Sequence, residues 1–346
     1  MTKHEHVLLS GASGFVATHI LDLLLKRNYK VTATVRSQKK ADYLLKKFEG
    51  LPLKTVIVED ISNPDAFDSV FQNDHSITAV IHAASPVFFP EADGAKLVIE
   101  PAIKGTNNIL KSIKQFAPQV TRVVVTSSYV SILQVFKKND PTFIHNEETW
   151  SDVTYELAET ENKELAYFGS KKFAEKALWK FIEEEKPNFT ATTIHPPFIF
   201  GPLIQDVQTP EQINGSNSLL FGSVVKSKAN DTEGDYTEDI LPSIDVRDVA
   251  LAHVLALEND DLAGRRLLVS NEDFSTQSVL DIVNKNVPYF KGKIAIGQPG
   301  TGLKNLNKFS KLDNHVTNDL LKIKYRPFEE TITDTFKSFE KILEGN

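Results

Sequence analysis

A tyrosine and a lysine four residues apart, Tyr167 and Lys171, form the pair in this sequence best suited to proton chemistry. They lie in the stretch ELAYFGSKKFAEKALWKF, within a helix predicted from about residue 162 to residue 185. Residues at positions i and i+4 of a helix share one face, so the phenol and the ammonium are expected side by side. Spacing alone does not establish the pair, because a lysine-rich chain also produces it by accident.

The same spacing begins at Tyr43 and at Tyr289, so the surroundings must decide between the three tyrosines. Tyr43 falls in a predicted surface helix, and Tyr289 stands in the turn VPYFKGK. Tyr167 alone follows a predicted strand that ends in TSS, which places Ser127 at the carboxyl edge of the sheet. Open α/β sheets bind their ligands at that edge. The sequence therefore predicts a site that contains Ser127, Tyr167 and Lys171.

The turn SGASGFVA separates the first predicted strand from a helix and is similar to a dinucleotide fingerprint. Gly11 permits a tight turn, Gly14 lets the backbone approach a pyrophosphate, and the small Ala17 lets the helix pack close to the strand. The helix N-terminus offers N–H groups and a positive dipole to phosphates. The spacing G-x-x-G-x-x-A matches G-x-G-x-x-G only loosely, and the alternative is a glycine-rich turn that binds no ligand.

The end of the second predicted strand indicates which dinucleotide would bind. An NAD site usually has an acidic residue there, whereas an NADP site has a cation. Here the strand ends in Arg36, and Lys40 follows one helical turn later. A guanidinium presents paired donors to a phosphate, so the sequence predicts NADP(H), although Lys40 could equally be a solvated surface cation. Asp60, Ala83 and Ala84, at the ends of the next two strands, are expected on the adenine and ribose side.

Short apolar strands alternate with helices over the first 200 residues. The predicted strands cover residues 6–10, 30–36, 53–60, 78–84, 121–128 and 189–196. This pattern predicts an α/β fold, a Rossmann-type doubly wound parallel sheet. Residues 1–200 are assigned to an NADP-binding domain, to which part of the later chain returns, and residues 201–346 mainly to a smaller, mostly helical substrate-binding lobe. Asn63 is predicted to cap a helix that has Pro64 at its first position.

Composition excludes several classes of protein. The chain has 346 residues and no cysteine, which rules out disulfides, thiol nucleophiles and cysteine-ligated zinc, and no metal site is predicted. A net charge of −7 argues against a nucleic-acid partner. The apolar runs are shorter than the ~18 residues of a membrane span, and no signal peptide is evident. We therefore expect a cytoplasmic protein without a membrane partner.

The chain resembles the extended short-chain dehydrogenases/reductases over nearly its whole length. The segments that carry this resemblance are SGASGFVATHI, TVRSQKKA, VIHAASP, VVVTSSY, NEETW, YFGSKKFAEKA, FGP and IDVRDVALAH. Within the family it looks most similar to the yeast NADPH-dependent methylglyoxal/aldehyde reductases, which are relatives of plant dihydroflavonol reductases. The resemblance implies transfer of hydride from NADPH to a small carbonyl substrate such as methylglyoxal, a branched aldehyde or a prochiral ketone. Relatives occur as monomers and as homodimers, and both states stay open.

The resemblance also implies roles for individual residues. Tyr167 would protonate the carbonyl oxygen, and Lys171 would lower the tyrosine pKa from ~10 and hold the nicotinamide ribose. Ser127 would donate a hydrogen bond to the carbonyl oxygen, unless it only caps the strand end. The further cofactor contacts would be Gly11, Ser13, Gly14, Phe15, Val16, Arg36, Lys40, Asp60, Ile61, Ala83, Ala84, Ser85, Pro196 and Ile199. The apolar substrate walls would be Phe88, Val130 and Phe198, each of which could equally belong to the core.

Two positions depart from the family pattern. Many short-chain reductases carry an asparagine three residues before the glycine of the fourth helix as part of a proton relay, but Ala102 stands at that distance from Gly105. The segment that usually reads Asn-Pro after the sixth strand reads HPPFIFGP. His195 in this segment could face a ligand, but we favour a structural role for it.

The segment SIDVRDVA predicts the start of a helix in the second lobe. Asp245 is expected to cap this helix, with Arg247 and Asp248 forming a local pair.

Two other functions compete with the reductase. A nucleotide-sugar epimerase or dehydratase shares the fold and the Tyr-Lys pair, but it needs an acidic residue where Arg36 stands. A non-catalytic NADP-sensing regulator would have no reason to keep Ser127, Tyr167 and Lys171 together. The sequence therefore favours the reductase, and cofactor turnover is the observation that discriminates between them.

Overall fold

A seven-stranded parallel sheet forms the centre of the molecule. The computed structural model describes residues 5–85, 95–159 and 162–345. The strands of these residues are β1 (His6–Ser10), β2 (Lys30–Val35), β3 (Leu53–Ile57), β4 (Ala79–His82), β5 (Arg122–Thr126), β6 (Ile144–His145), β7 (Thr190–Ile194), β8 (Phe198–Phe200), β9 (Leu241–Asp245), β10 (Arg266–Leu267), β11 (Asp273–Phe274) and β12 (Lys311–Leu312). The central sheet has the order β3-β2-β1-β4-β5-β7-β10, and each neighbouring pair is parallel. The order reverses between β1 and β4, where doubly wound sheets bind their ligands.

Helices cover both faces of this sheet. The α-helices of the described residues are α1 (Phe15–Lys26), α2 (Gln38–Lys47), α3 (Asp68–Asn73), α4 (Glu100–Phe116), α5 (Tyr155–Ala158), α6 (Lys163–Glu185), α7 (Gly215–Leu220), α8 (Val246–Glu258), α9 (Thr276–Asn286), α10 (His315–Leu321) and α11 (Phe328–Glu344). Successive strand residues face opposite sides of a sheet. Accordingly, Val7 and Leu9 pack into the core layer that includes α1 and α8, whereas Leu8 packs into the layer that includes α4 and α6. The predicted Rossmann-type fold is confirmed.

A smaller lobe follows the sheet. Its three strands have the order β11-β9-β8, and α7, α9 and α11 pack with them around an aromatic core. Within this core Phe200 and Phe274 meet edge to face with ring centres 4.9 Å apart. The chain between β9 and β11 returns to the first domain, because α8 packs against α1 and β10 extends the central sheet beside β7.

Asp245 caps α8 as predicted, accepting a hydrogen bond from the Arg247 N–H at 2.7 Å. The expected Arg247–Asp248 pair is wrong. Arg247 instead pairs with Asp245 at 2.7 Å and with Asp334 at 2.8 Å, while Asp248 pairs with Arg326. Adjacent helical residues point in different directions, so each of the two finds its partner elsewhere.

The cap predicted at Asn63 is also wrong. Helix α3 begins only at Asp68, and the residues between form turns in which Asp65 has a φ of 61°. A left-handed residue interrupts a right-handed helix. The Asn108 side-chain amide of α4 instead holds this segment by donating to the carbonyl oxygens of Ile61 and Asn63 at 3.0 and 2.7 Å.

Among the described residues, no helix is both long and apolar enough to cross a bilayer. In the same part of the chain, no cluster of three or more His, Asp or Glu side chains could hold a metal ion.

Candidate active site

The glycine turn after β1 brings the first and fourth strands together at the carboxyl edge of the sheet. Gly11 has a φ of +66°, and a Cβ built on it would lie 2.9 Å from the Cα of Ala84. The Ser10 hydroxyl accepts hydrogen bonds from the N–H groups of Ala83 and Ala84 at 3.1 and 3.0 Å. Gly11 is therefore required both for its backbone conformation and for the close approach of β4.

The N-terminus of α1 is suited to a phosphate group. Gly14 caps the helix, no side chain occupies the cap, and the first turn contains no acidic residue. A Cβ on Gly14 would meet only the Gly11 carbonyl oxygen, at 3.3 Å, so the approach to the helix end is open. Phe15 is buried, whereas Ser13 and Val16 are partly buried. A twelve-residue helix with free N–H groups and this glycine turn fits the pyrophosphate of a dinucleotide.

The end of β2 places two cations near this turn. Arg36 is exposed, and it pairs with no carboxylate among the described residues. The Lys40 ammonium lies 3.2 Å from the Asp206 carboxylate. A hydrogen bond from Gln208, and after it the contact with Lys40, hold the pKa of Asp206 below its usual value. Arg36 is thus available to a 2′-phosphate, whereas Lys40 already has a partner from the second lobe.

The remaining residues predicted to bind the adenosine half lie at the ends of β3 and β4. The Asp60 carboxylate accepts hydrogen bonds from the N–H and the hydroxyl of Ser62 at 2.8 and 2.7 Å. Ile61 packs over Gly105 of α4: a Cβ added to Gly105 would lie 2.7 Å from the Cδ1 atom of Ile61. Ser85 follows β4 and is partly buried. These contacts hold the segments that follow β3 and β4 at the carboxyl edge of the sheet. The cofactor roles predicted for these residues stay predictions.

Tyr167 and Lys171 share one face of α6, as the spacing predicts. The helix is capped by Asn162, whose side-chain oxygen accepts from the N–H groups of Glu164 and Leu165 at 2.9 and 3.2 Å. The Lys171 Nζ atom lies 6.0 Å from the centre of the Tyr167 ring. Lys171 is only 9% exposed, and burial lowers its pKa to about 8.

The two serines after β5 point to different partners. The Ser127 hydroxyl donates to the Glu175 carboxylate at 2.6 Å, in a fully buried position. Ser128 instead hydrogen-bonds through its side chain to Tyr167. Burial raises the pKa of Tyr167, and this hydrogen bond opposes the rise. Successive residues of extended chain face opposite ways, so only one of two adjacent serines can reach the tyrosine. The structure places Ser128 there, a residue that the sequence reasoning missed.

A small cavity lies beside Lys171, and Ser127, Ala102 and His82 help to line it. Its volume of about 20 Å³ is close to the space that one water molecule needs. Ala102 of α4 leaves room at this point because its side chain is a single methyl group.

His195 lies at the end of β7 and is completely buried. Its Nε2 atom is 2.8 Å from the Glu175 carboxylate, so it belongs to the same buried group as Ser127. This contact supports the structural role favoured for it. Pro196 follows and accepts a hydrogen bond from the Tyr129 N–H at 2.9 Å, while Ile199 packs against the main core.

The structure describes two of the three residues predicted to form the walls of the substrate pocket. Val130 follows Ser128 and is partly buried. Phe198 packs against Phe200 and Phe274, with ring centres 6.4 and 5.9 Å apart, at the edge of the second-lobe core. Phe88 lies outside the described residues. The substrate roles of these residues stay predictions.

One family model matches most of the chain. A model of the NAD dependent epimerase/dehydratase family matches residues 7–269, and the chain belongs to this family. The family expected from the motifs of the sequence is thereby confirmed.

Several members of known activity are similar to the chain. It is 42% identical over 338 residues to the NADPH-dependent methylglyoxal reductase GRE2 of Saccharomyces cerevisiae, covering 95% of this chain and 96% of that protein. It is 37% identical over 293 residues to the ketoreductase azaE of Aspergillus niger, covering 82% and 83%. The crystal structure of yeast methylglyoxal/isovaleraldehyde reductase Gre2 complexed with NADPH matches with a TM-score of 0.92 and 40% identity, over 99% of this chain and 100% of that one.

Proposed function

We propose that this protein is an NADPH-dependent carbonyl reductase that converts aldehydes and ketones to alcohols. The observation that carries the proposal is the convergence of Tyr167, Lys171 and a serine hydroxyl at the carboxyl edge of the sheet, beside a turn that fits a dinucleotide. The similarity to the yeast methylglyoxal reductase supports the same reaction. Methylglyoxal, branched aldehydes and prochiral ketones are the proposed substrates.

NADPH, when bound, supplies the hydride. The N-terminus of α1 would hold its pyrophosphate, and Arg36 would hold the 2′-phosphate. Lys40 would join Arg36 only by exchanging its contact with Asp206 for the phosphate. Replacing Arg36 with glutamine is expected to lower the preference for NADPH over NADH by ~10- to 100-fold, the range of a hydrogen bond to a charged group.

The chemistry of the protein side rests on one phenol. Tyr167 would donate its proton to the carbonyl oxygen as that oxygen gains charge. The Lys171 ammonium, buried beside the ring, would stabilise the phenolate that results. The Ser128 hydroxyl donates to Tyr167, and it would have to turn its one proton away from the phenol to donate to the carbonyl oxygen. The role that the sequence predicts for Ser127 requires its hydroxyl to leave Glu175.

The test is the loss of NADPH absorbance with methylglyoxal and with an aryl ketone. We expect turnover that prefers NADPH to NADH and that falls ~10²-fold or more in Tyr167→Phe, the scale of a lost general acid. Tyr43→Phe is the matched control, because Tyr43 also precedes a lysine by four residues but donates to the carbonyl oxygen of Ile204 at 3.2 Å. Its turnover should equal that of the wild type.

Two results would contradict the proposal. If Tyr43→Phe lost as much turnover as Tyr167→Phe, the assignment of Tyr167 as the general acid would be wrong. Binding of NADPH without turnover of either substrate would favour the epimerase/dehydratase or the sensor. The residue after β2 argues against an epimerase that retains NAD, because Arg36 occupies the position where NAD sites have an acidic residue.

A further inference from the structure

A buried carboxylate lies behind the reaction site, within hydrogen-bond distance of five polar groups. Glu175 is 3% exposed and lies on α6, four residues after Lys171. These groups are Ser127 Oγ (2.6 Å), Ser131 Oγ (2.6 Å) and His195 Nε2 (2.8 Å) on one oxygen, and Arg266 Nε (2.7 Å) and Trp179 Nε1 (3.2 Å) on the other. The one proton of Ser131 is shared between Glu175 and the carbonyl oxygen of Ser128, which lies 2.8 Å away.

The surroundings of this carboxylate favour its ionised form. Burial alone would raise the pKa of Glu175, but His195 and Arg266 outweigh burial and hold the pKa far below its usual value. An ionised carboxylate only accepts hydrogen bonds. The Ser127 proton therefore points at Glu175 and is not available to a substrate carbonyl while this bond is intact.

Three of the partners of Glu175 lie at strand ends of the central sheet. Ser127 follows β5, His195 follows β7, and Arg266 lies in β10. Arg266 is itself fixed, because its Nη1 atom donates to the carbonyl oxygens of Glu147 and Thr149 at 2.7 Å each. The carboxylate thus ties α6 to a rigid edge of the sheet.

Tyr167, Lys171 and Glu175 follow one another at intervals of four residues and so lie along one face of α6. At 1.5 Å per residue, Glu175 lies ~12 Å along the helix axis from Tyr167. A rotation or slide of α6 at Glu175 would therefore displace the phenol and the ammonium together. Misplacement of a reacting group by ~1 Å can cost ~10²-fold in rate.

We propose that Glu175 is a positioning residue, and that Ser127 serves it. In this arrangement Glu175 and Ser127 fix the position of α6 along its axis and its rotation against the sheet. The inference rests on the proposed reductase activity, since the reaction is what the positioning serves.

The experiment compares Ser127→Ala, Ser128→Ala and Glu175→Gln in the full chain, with methylglyoxal and NADPH. Ser128→Ala is expected to lose ~10²-fold in kcat, and Ser127→Ala less than ~10-fold. Glutamine offers only one acceptor oxygen and brings an N–H₂ group that faces existing donors. Glu175→Gln should therefore lower kcat by ~10- to 100-fold, while the KM and the Kd for NADPH, measured by fluorescence, change by less than ~3-fold.

A second readout does not depend on turnover. The pKa of Tyr167 is measured by following near-ultraviolet absorbance as the pH rises. For each variant, the same variant that also carries Tyr167→Phe is subtracted, so that only the ionisation of Tyr167 remains. Ser128→Ala should raise this pKa, because the hydrogen bond from Ser128 favours the phenolate. Ser127→Ala should leave it unchanged. A pKa that moves in Ser127→Ala and not in Ser128→Ala would overturn the assignment, even if the wild type reduces no carbonyl and the proposed function fails.

The control for stability is Asp260→Asn. It weakens an ion pair with the buried Arg122 at the opposite end of β5, where the two groups are 2.7 Å apart. This variant should unfold earlier than the wild type but keep its kcat. If Glu175→Gln behaves in the same way, Glu175 is merely structural and the proposal is wrong.

Discussion

Replacing Lys171 with methionine should stabilise the protein while it abolishes turnover. Burial lowers the pKa of Lys171 from 10.5 to about 8, which means that folding makes the ammonium harder to keep charged. Lowering the pKa by this much corresponds to ~3 kcal/mol of unfavourable free energy at neutral pH. Methionine fills a similar volume without a charge, so Lys171→Met should gain up to ~3 kcal/mol in the free energy of unfolding.

The pH dependence distinguishes this cause from a change in packing. The folded pKa of Lys171 is the lower one, so the penalty is fully present below about pH 8 and disappears as the pH rises through 10.5. The advantage of Lys171→Met should therefore shrink by ~1.4 kcal/mol per pH unit across this window. Urea unfolding of the ligand-free protein near pH 7 and near pH 10 measures it. Lys180→Met, on an exposed part of the same helix, should stay within ~0.5 kcal/mol of the wild type.

An Lys171→Met protein that is less stable than the wild type at neutral pH would refute the reasoning. It would show that the ammonium gains more from its surroundings than it loses by burial. A gain that does not change with pH would assign the effect to packing.

Two glycines yield further predictions. Gly11→Ala and Gly50→Ala both place an alanine at positive φ, at +66° and +80°, but only the first meets another chain segment, the backbone of Ala84. Gly50→Ala should lower the free energy of unfolding by ~1 kcal/mol. Gly11→Ala should lower it by ~1–3 kcal/mol more and should also weaken NADPH binding, as urea midpoints and fluorescence titration would measure. Equal losses in the two variants would show that β4 moves aside without cost. Gly169→Ala builds a Cβ 2.5 Å from the Cβ of Ala158, so we expect α5 to shift and the unfolding free energy to fall by ~1–3 kcal/mol, whereas an unchanged urea midpoint would show that α5 adapts without cost.

Local patterns in the sequence predict much of this architecture. The strands and the glycine turn follow from apolar runs and spacing, and the i, i+4 rule places Tyr167 beside Lys171. The choice between Ser127 and Ser128 depends on which of the two side chains points toward Tyr167 at the end of β5. The spacing of residues in the sequence does not reveal this. The sequence predicts Ser127 for the contact with the substrate; in the structure its hydroxyl donates to Glu175, and the substrate role stays a prediction.

Contacts between distant residues were beyond the sequence. The ion pair of Lys40 and Asp206 joins residues far apart in the chain, and three of the partners of Glu175 come from different strand ends. One signal was nevertheless present. Glu175 lies eight residues after Tyr167 on the same helix face, in the largely apolar stretch FAEKALW, where a carboxylate needs a buried partner.

The arrangement along α6 also explains how a buried lysine and a buried glutamate can be neighbours without neutralising each other. A lysine and a glutamate four residues apart on a helix commonly form an ion pair, which would raise the lysine pKa and occupy its ammonium. Here Arg266 and His195 approach Glu175 from the sheet and take its oxygens. Burial then lowers the pKa of Lys171 to about 8, the opposite of what an ion pair would produce. Because the strands satisfy the glutamate, the ammonium of Lys171 is left to act on the phenol of Tyr167, and the same contacts hold both groups in place.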